Sequence, residues 1–395
     1  MRIAYVSNYI GESFISKHAS SASFSISGTL KTHGIAQTLL SNGHEVSVFS
    51  TGITNCNKYI NSFSELIKTN FGNYNVYYSK IFSFKKCSPI NAFFLLLKLI
   101  NNKSKYDAVI YYNINENSIV SILAFKDKSK ILEYEDNIFN RSTIKKPKKI
   151  SLFFKKIISN FVINSSDKAI VVSKNMIDKN KIKNQFHFPG FISSTFLESN
   201  RNNKIIAKKD NYVPFQIYIA GGAHYSKGFD ILLDALEYLP HIRIEVHLYS
   251  NTILDSNNLK KIKTLKTNKQ IFVHKFVNQE YLAKIFIEKA NVLLNTTRNM
   301  NMPKFTAGFP FKMLEYASTG IPIISSEIGK LENKFDKNIC FYENDCPINL
   351  SKSIEEVFKN YNSYQKKARN LSSYVNKFYT LDAISQRIEP FLKKC

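Results

Sequence analysis

Acidic residues are scarce in this chain: 30 Asp and Glu stand against 55 Lys and Arg over 395 residues, a formal charge of +25. Such an excess attracts anions, whether nucleic acid, acidic lipid head groups or phosphorylated small molecules. The scarcity is complete from Asn137 to Ser166, where no Asp or Glu occurs. Cysteine is also sparse. Cys56, Cys87, Cys340, Cys346 and Cys395 are odd in number and form no CxxC or Cys/His cluster. That argues against structural zinc and a disulfide framework, and fits a reducing cytosolic setting. Long apolar runs are missing. The opening MRIAYVSNYI lacks the apolar segment of a signal peptide, and AFFLLLKLI (92–100) is broken by Lys98 and too short to cross a bilayer.

Two further absences exclude function classes. No zinc-finger spacing, RNA-binding aromatic motif or basic arm on a heptad repeat is present, so no nucleic-acid partner is expected. No GxGxxG follows the first apolar strand, where the nearest glycines are Gly11, Gly28 and Gly34. The second strand ends in Ser50–Thr51, with no acid to hold a ribose, which disfavours a nicotinamide enzyme.

What is present reads as a folded α/β protein with room for two domains, since 44% of residues are hydrophobic and 22% charged. RIAYVS is an apolar run suited to a buried parallel strand, THGIAQTLLSNG a helix stopped by Gly43, and HEVSVFST the next strand. YDAVIYYN (106–113), KILEY (130–134) and KAIVVS (168–173) continue the strands. Between them KKPKKISLFFKKIISNFVI (145–163) reads as a basic amphipathic helix after Pro147. FHFPGF (186–191) ends the first domain, and the polar stretch 198–211 is the linker candidate. The alternation then restarts with FQIYIAG, a glycine loop, the helix FDILLDALEYL and further strands IRIEVHLYS, QIFVHKF and NVLLNTT. Alternating apolar strands and helices imply two parallel, doubly wound sheets in tandem, with a cleft between them as the expected ligand site.

Three segments carry candidate chemistry. In IAGGAHYSKGFDILLDAL (219–236) a strand leads through Gly221 and Gly222 to Lys227 and a helix start, a combination suited to a pyrophosphate. A tight strand-to-helix turn with a surface lysine fits equally well. In AGFPFKMLEYASTGIPIISS, Gly308, Phe309 and Pro310 make a turn before a helix over Phe311–Ser318 that ends at Gly320. Glu315 on that helix could accept hydrogen bonds from vicinal hydroxyls; a partly exposed helix glutamate is the simpler account. In LEYEDNIF (132–139), Glu135 or Asp136 could act as a base or orient an acceptor hydroxyl, or merely pair with nearby lysines.

Taken in order, these segments resemble the GT-B glycosyltransferases, and among them the retaining family 4. THGIAQTLLSNGHEVSVFST looks like that family's first-domain helix and GHEV strand, and DKAIVVSKNM with FHFPG like its serine-bearing strand and following turn. AGGAHYSKGFDILLDAL looks like its KG loop, and AGFPFKMLEYASTGIPIISS like its donor-binding signature. The resemblance implies two Rossmann-like domains facing a cleft: an acceptor-side domain over 1–195, a nucleotide-sugar domain over 196–365, and a helical tail over 366–395 packing back on the first domain. It implies Lys227 on the donor diphosphate and Glu315 on the nucleotide ribose. Ala307, Pro310 and the amides of Gly308, Phe309 and Phe311 would line the sugar and its phosphate, with Gly28 and Thr29 approaching from the first domain. Glu135 and Asp136 stand where many members carry a histidine. The chain departs from the pattern at Ala307, where a second glutamate is usual, and near Gly222, where an arginine is usual.

The activity this implies is retaining transfer of a sugar from a nucleotide-diphosphate donor to a hydroxyl acceptor, a saccharide or lipid-linked saccharide of cell-surface glycan synthesis. No cofactor or metal is expected, since cations and amides can neutralise the leaving group and no Asp-x-Asp motif occurs. The location implied is cytoplasmic. The basic, aromatic helix at 145–163 fits either docking on an anionic membrane or a solvated face packed on the sheet. A GT-B nucleotide-sugar epimerase and a catalytically silent glycan- or partner-binding relative remain as alternatives.

Overall fold

The computed structural model describes the chain except for residues 19–25, 53–58, 83–87, 136–148, 174–175, 179, 202–213, 224, 251–252, 266–267, 276, 299–309, 328–334, 336, 344 and 394–395. Two compact units result, one comprising residues 1–191 and 381–395, the other 192–380.

The first unit runs β1 (Arg2–Ser7), α1 (Glu12–His18), α2 (Ile26–Ser41), β2 (Glu45–Ser50), β3 (Tyr59–Ile60), β4 (Phe63–Thr69), β5 (Gly72–Tyr78) and β6 (Ile81–Phe82). It continues with α3 (Ser88–Asn102), β7 (Ala108–Tyr112), α4 (Glu116–Ala124), β8 (Ser129–Tyr134), α5 (Lys149–Asn164), β9 (Lys168–Val171) and β10 (Gln185–His187). Its main sheet has the order β10-β9-β8-β7-β1-β2-β5-β4 and is parallel except for the β4–β5 hairpin. The central strands are buried on both faces, as their continuous apolar runs require. Helix α2 ends where Gly43 turns with φ 75°, a left-handed stop that suits glycine.

The second unit runs α6 (Ser194–Arg201), β11 (Phe215–Ala220), α7 (Phe229–Glu237), β12 (Ile244–Tyr249), α8 (Ser256–Thr264), β13 (Lys269–His274), α9 (Gln279–Lys289) and β14 (Val292–Asn295). After these come α10 (Lys312–Ser318), β15 (Ile323–Ser326), β16 (Cys340–Tyr342), α11 (Pro347–Lys359) and α12 (Tyr361–Phe378). Its six strands, in the order β13-β12-β11-β14-β15-β16, are all parallel. The core between this sheet and α7 is built from Ile217, Leu232, Leu236, Val246, Val292 and their neighbours.

The domain limits differ from those expected in three respects. The boundary lies at 191/192 rather than 195/196, because the Ile192 amide donates to the Tyr379 carbonyl (2.8 Å) and so belongs to the second unit. The expected linker at 198–211 begins inside α6, whose Phe196 is fully buried. The expected tail 366–395 is divided. Helix α12 stays with the second unit, where Ser372 Oγ donates to the Ser318 carbonyl (2.7 Å). Only the last helix, α13 (Leu381–Lys393), joins the first unit. There Asn42 donates to the Ser385 carbonyl (2.9 Å) and His44 Nε2 lies 2.8 Å from Glu389. Ile388 of α13 is fully buried. Ile388→Ala should therefore cost the first unit about 2–5 kcal/mol; an unchanged denaturation midpoint would show that α13 contributes no packing.

Candidate functional site

In open parallel sheets, loops at the carboxyl ends of strands form ligand sites. In the second unit, β11 ends at Ala220, and the backbone on both sides of that residue is held by one helix. The Ala220 amide donates to the Tyr316 hydroxyl (2.8 Å), and the Ala220 carbonyl accepts from Lys312 Nζ (3.2 Å). Lys312 and Tyr316 are one turn apart on α10, so both reach the same residue, on the peptide groups either side of its Cα. The Lys312 ammonium consequently sits beside Gly221, 3.8 Å from where a Cβ would stand.

Glu315 shares α10 and is 8% exposed, with Gln279 at the start of α9 donating to its Oε1 (2.9 Å). Burial pushes its pKa up to about 7, with Lys312 opposing the shift. Lys312 is pushed down to about 7, first by burial and then by the charge of Lys227, with Glu315 acting the other way. The structure therefore brings Lys227 and Glu315 each within electrostatic reach of Lys312, whose ammonium sits at the end of β11.

Lys227 itself is exposed at the end of a short turn, Tyr225–Lys227. That turn is braced from the end of β14. Thr296 Oγ1 donates to the Lys227 carbonyl (2.6 Å), and Arg298 donates through its amide to Ser226 and through Nε to Tyr225. The Arg298 guanidinium stacks 4.0 Å from the Tyr225 ring centroid and pairs with Asp230 (2.5 Å). Gly228 then turns into α7 with φ 66°, and a Cβ there would lie 2.1 Å from the Thr296 carbonyl oxygen, so only glycine fits. Gly221 is exposed and Gly222 half-buried beside Lys312; Pro310 and Phe311 lead into α10. Ala307, Gly308 and Phe309 lie outside the described residues.

The first unit carries its own cluster. Gly28 and Thr29 lie in the first turn of α2, and Thr29 Oγ1 is buried with no hydrogen-bond partner among the described residues. Lys31, 2% exposed on the same helix, places its ammonium 3.6 Å from Glu133 and 3.7 Å from Glu135, over the Phe188 ring. Glu135, at the carboxyl end of β8, accepts from the Tyr112 hydroxyl (2.5 Å), and its amide donates to Asn113 (2.8 Å). Glu133 accepts from the Tyr5 hydroxyl, and burial raises its pKa to about 7 against the pull of Lys31. Asp136 lies outside the described residues. Lys31, Glu133, Gln279, Arg298 and Lys312 were not foreseen. For Lys312 a signal existed in FKMLEY, one turn before the tyrosine that caps β11. Lys31 and Glu133 carried none, because nothing in a basic helix or an apolar strand marks which charge is buried.

The architecture is GT-B, and likeness to solved structures extends over the whole chain. Sucrose-phosphate synthase from Thermosynechococcus elongatus is similar at a TM-score of 0.67 and 12% identity, covering 99% of this chain and 98% of that one. HepE of Anabaena, solved with UDP, is similar at 0.64 and 12%, covering 99% of each chain. A glycosyltransferase from Rickettsia africae is similar at 0.63 and 14%, covering 100% of this chain and 99% of that one. No curated protein sequence matches the chain. Residues 214–360, within the second unit, match the family model described as glycosyl transferases group 1.

The buried carboxylate has a measurable cost. Glu315's pKa in the fold, about 7, exceeds its ordinary 4.5, so between those values the folded protein keeps a proton that the unfolded chain has lost. The cost of the ionised form is absent below pH 4.5, grows as pH rises and is complete above 7. Glu315→Gln should therefore stabilise the ligand-free protein by about 1–3 kcal/mol at pH 8 and by almost nothing near pH 4. Equal melting temperatures for the two proteins at pH 8 would contradict this environment for Glu315.

Proposed function

We propose that the protein is a retaining glycosyltransferase that moves a sugar from a nucleotide-diphosphate donor to a hydroxyl acceptor. The observation that carries this reading is Lys312 at the end of β11, with Lys227 and Glu315 each in electrostatic reach of it, inside the segment that matches the group 1 model. Two ammonium groups suit a diphosphate, and a buried carboxylate suits vicinal ribose hydroxyls, which donate to it. The solved complexes of HepE with UDP and with UDP-glucose support a donor of this class.

In the reaction, the acceptor oxygen bonds to the anomeric carbon as the bond from that carbon to the phosphate oxygen breaks. The electron pair leaves with the diphosphate, where Lys227 and Lys312 stabilise the developing charge. The acceptor proton passes to a carboxylate or to the leaving phosphate. Glu135, held as an acceptor by Tyr112 and Lys31, has the chemistry for that task. Retention follows from the family resemblance: attack and departure share one face of the sugar. The reading needs no divalent ion, because the lysines supply the positive charge. The acceptor we favour is a saccharide, free or lipid-linked, of cell-surface glycan synthesis on the cytoplasmic side of a membrane.

A thermal-shift titration tests the donor site, because a ligand that binds only the native form raises its melting temperature. UDP, ADP or a sugar derivative of one should stabilise the wild-type protein; no stabilisation by any nucleotide would overturn the reading. Lys312→Met and Lys227→Ala should each weaken diphosphate binding by about 10–100-fold while leaving nucleoside binding unchanged. Glu315→Ala should weaken both. With a donor bound, release of nucleotide only in the presence of an acceptor marks transfer. Sugar interconversion without release marks an epimerase, and neither reaction marks a silent binder.

A further inference from the structure

Helix α3 buries Ala92, Leu95 and Leu99 against the first unit, as an amphipathic helix should. It also carries a second apolar stripe that is exposed. Ile90, Phe93, Leu97 and Ile100, spaced by three and four residues, form one continuous line, with Phe93 54% exposed. Helix α5 repeats the arrangement: Val162 and Ile163 are buried while Phe153, Phe154, Ile157 and Phe161 are exposed, Phe153 by 63%. Helix α4 packs against both and adds exposed Leu123 between them. Three neighbouring helices thus present one apolar surface, larger than isolated exposed side chains on a soluble protein would make.

The charges carried by the three helices themselves are mostly positive: Lys98, Lys149, Lys155 and Lys156 against Glu116. Neither α3 nor α5 contains an acidic residue. Lys103 and Lys105 follow α3, Lys126 follows α4, and Lys156 lies on α5, all exposed. The exposed acids bordering this layer are Glu116 and Asp127, at the two ends of α4, Asp107, which pairs with Arg2, and Asp167, which pairs with Lys130.

We propose that the combined face of α3, α4 and α5 docks on an anionic lipid bilayer. The aromatic and aliphatic stripes enter the boundary between head groups and acyl chains, and the lysines meet the lipid phosphates. A second copy of the chain is a poor occupant, because each copy carries +25 and the faces would meet with like charge. Among the described residues no helix is long and apolar enough to span a membrane, so attachment is to the surface. The proposal extends the membrane-side acceptor of the transferase reading but stands on a separate observation.

Vesicle co-sedimentation of the full chain tests it. Binding is expected to phosphatidylglycerol-containing vesicles at low salt, to fall steeply as salt rises, and to be weak on phosphatidylcholine alone. Phe93→Ser with Leu97→Ser, on α3, and Phe153→Ser with Phe154→Ser, on α5, should each weaken binding by about tenfold or more. Unaltered melting temperature and nucleotide binding would show that both variants remain folded. Absence of wild-type binding overturns the proposal. An unchanged α3 variant also overturns it, leaving at most α5 as the contact. Light scattering that shows a dimer broken by the same substitutions assigns the face to self-association instead. Nucleotide stabilisation is read separately, so the transferase reading and the membrane face can fail independently.

Discussion

A half-buried lysine and a buried glutamate one helical turn apart are the constraint on which the second unit is arranged. Lys312 is tied to the Ala220 carbonyl while Tyr316, on the next turn, takes the Ala220 amide. The helix is therefore pinned to the end of the central strand, and the charges it carries cannot retreat to solvent. Their mutual attraction offsets only part of the desolvation, which is why both titrate near neutrality rather than at their ordinary values. Such a pair is a poor way to stabilise a fold and a good way to meet a ligand that brings phosphates and hydroxyls.

The first unit repeats the theme with different parts. Lys31 lies between two carboxylates, Tyr5 and Tyr112 donate to them, and Phe188 closes over the ammonium. Glu133 has no exposure to speak of, whereas Glu135 keeps a partly exposed edge at the end of β8. The buried members hold the exposed one in place, so Glu135 is presented as a hydrogen-bond acceptor with a defined orientation. In both units the costly charges gather at the carboxyl ends of parallel strands, where the backbone leaves room for a ligand.

Much of this was legible in the residues. Apolar runs alternating with glycine-stopped helices specify parallel sheets, and the loop before Lys227 and the helix of Glu315 fell where the spacing put them. The β4–β5 hairpin was missed, because β4 alternates exposed and half-buried residues, β5 mixes exposed with buried ones, and neither has the continuous apolar character of its neighbours. Helix α6 was missed because ESNR reads as a polar linker, while Phe196 anchors the helix in the core. Burial of individual charges was illegible in principle. Lys31 and Lys312 are two among many lysines, and only their tertiary neighbours distinguish them. The division of the tail at Thr380 likewise depends on which unit offers a partner for each helix, a long-range property that periodicity does not encode.

With its pKa pushed down to about 7, Lys312 is partly uncharged at pH 8 until an anion such as a diphosphate draws a proton onto it. Calorimetric titration of UDP at pH 8, in two buffers of different ionisation enthalpy, measures this directly. Uptake of up to about one proton per nucleotide bound is expected, absent in Lys312→Met. Tight binding with identical heats in both buffers would contradict it.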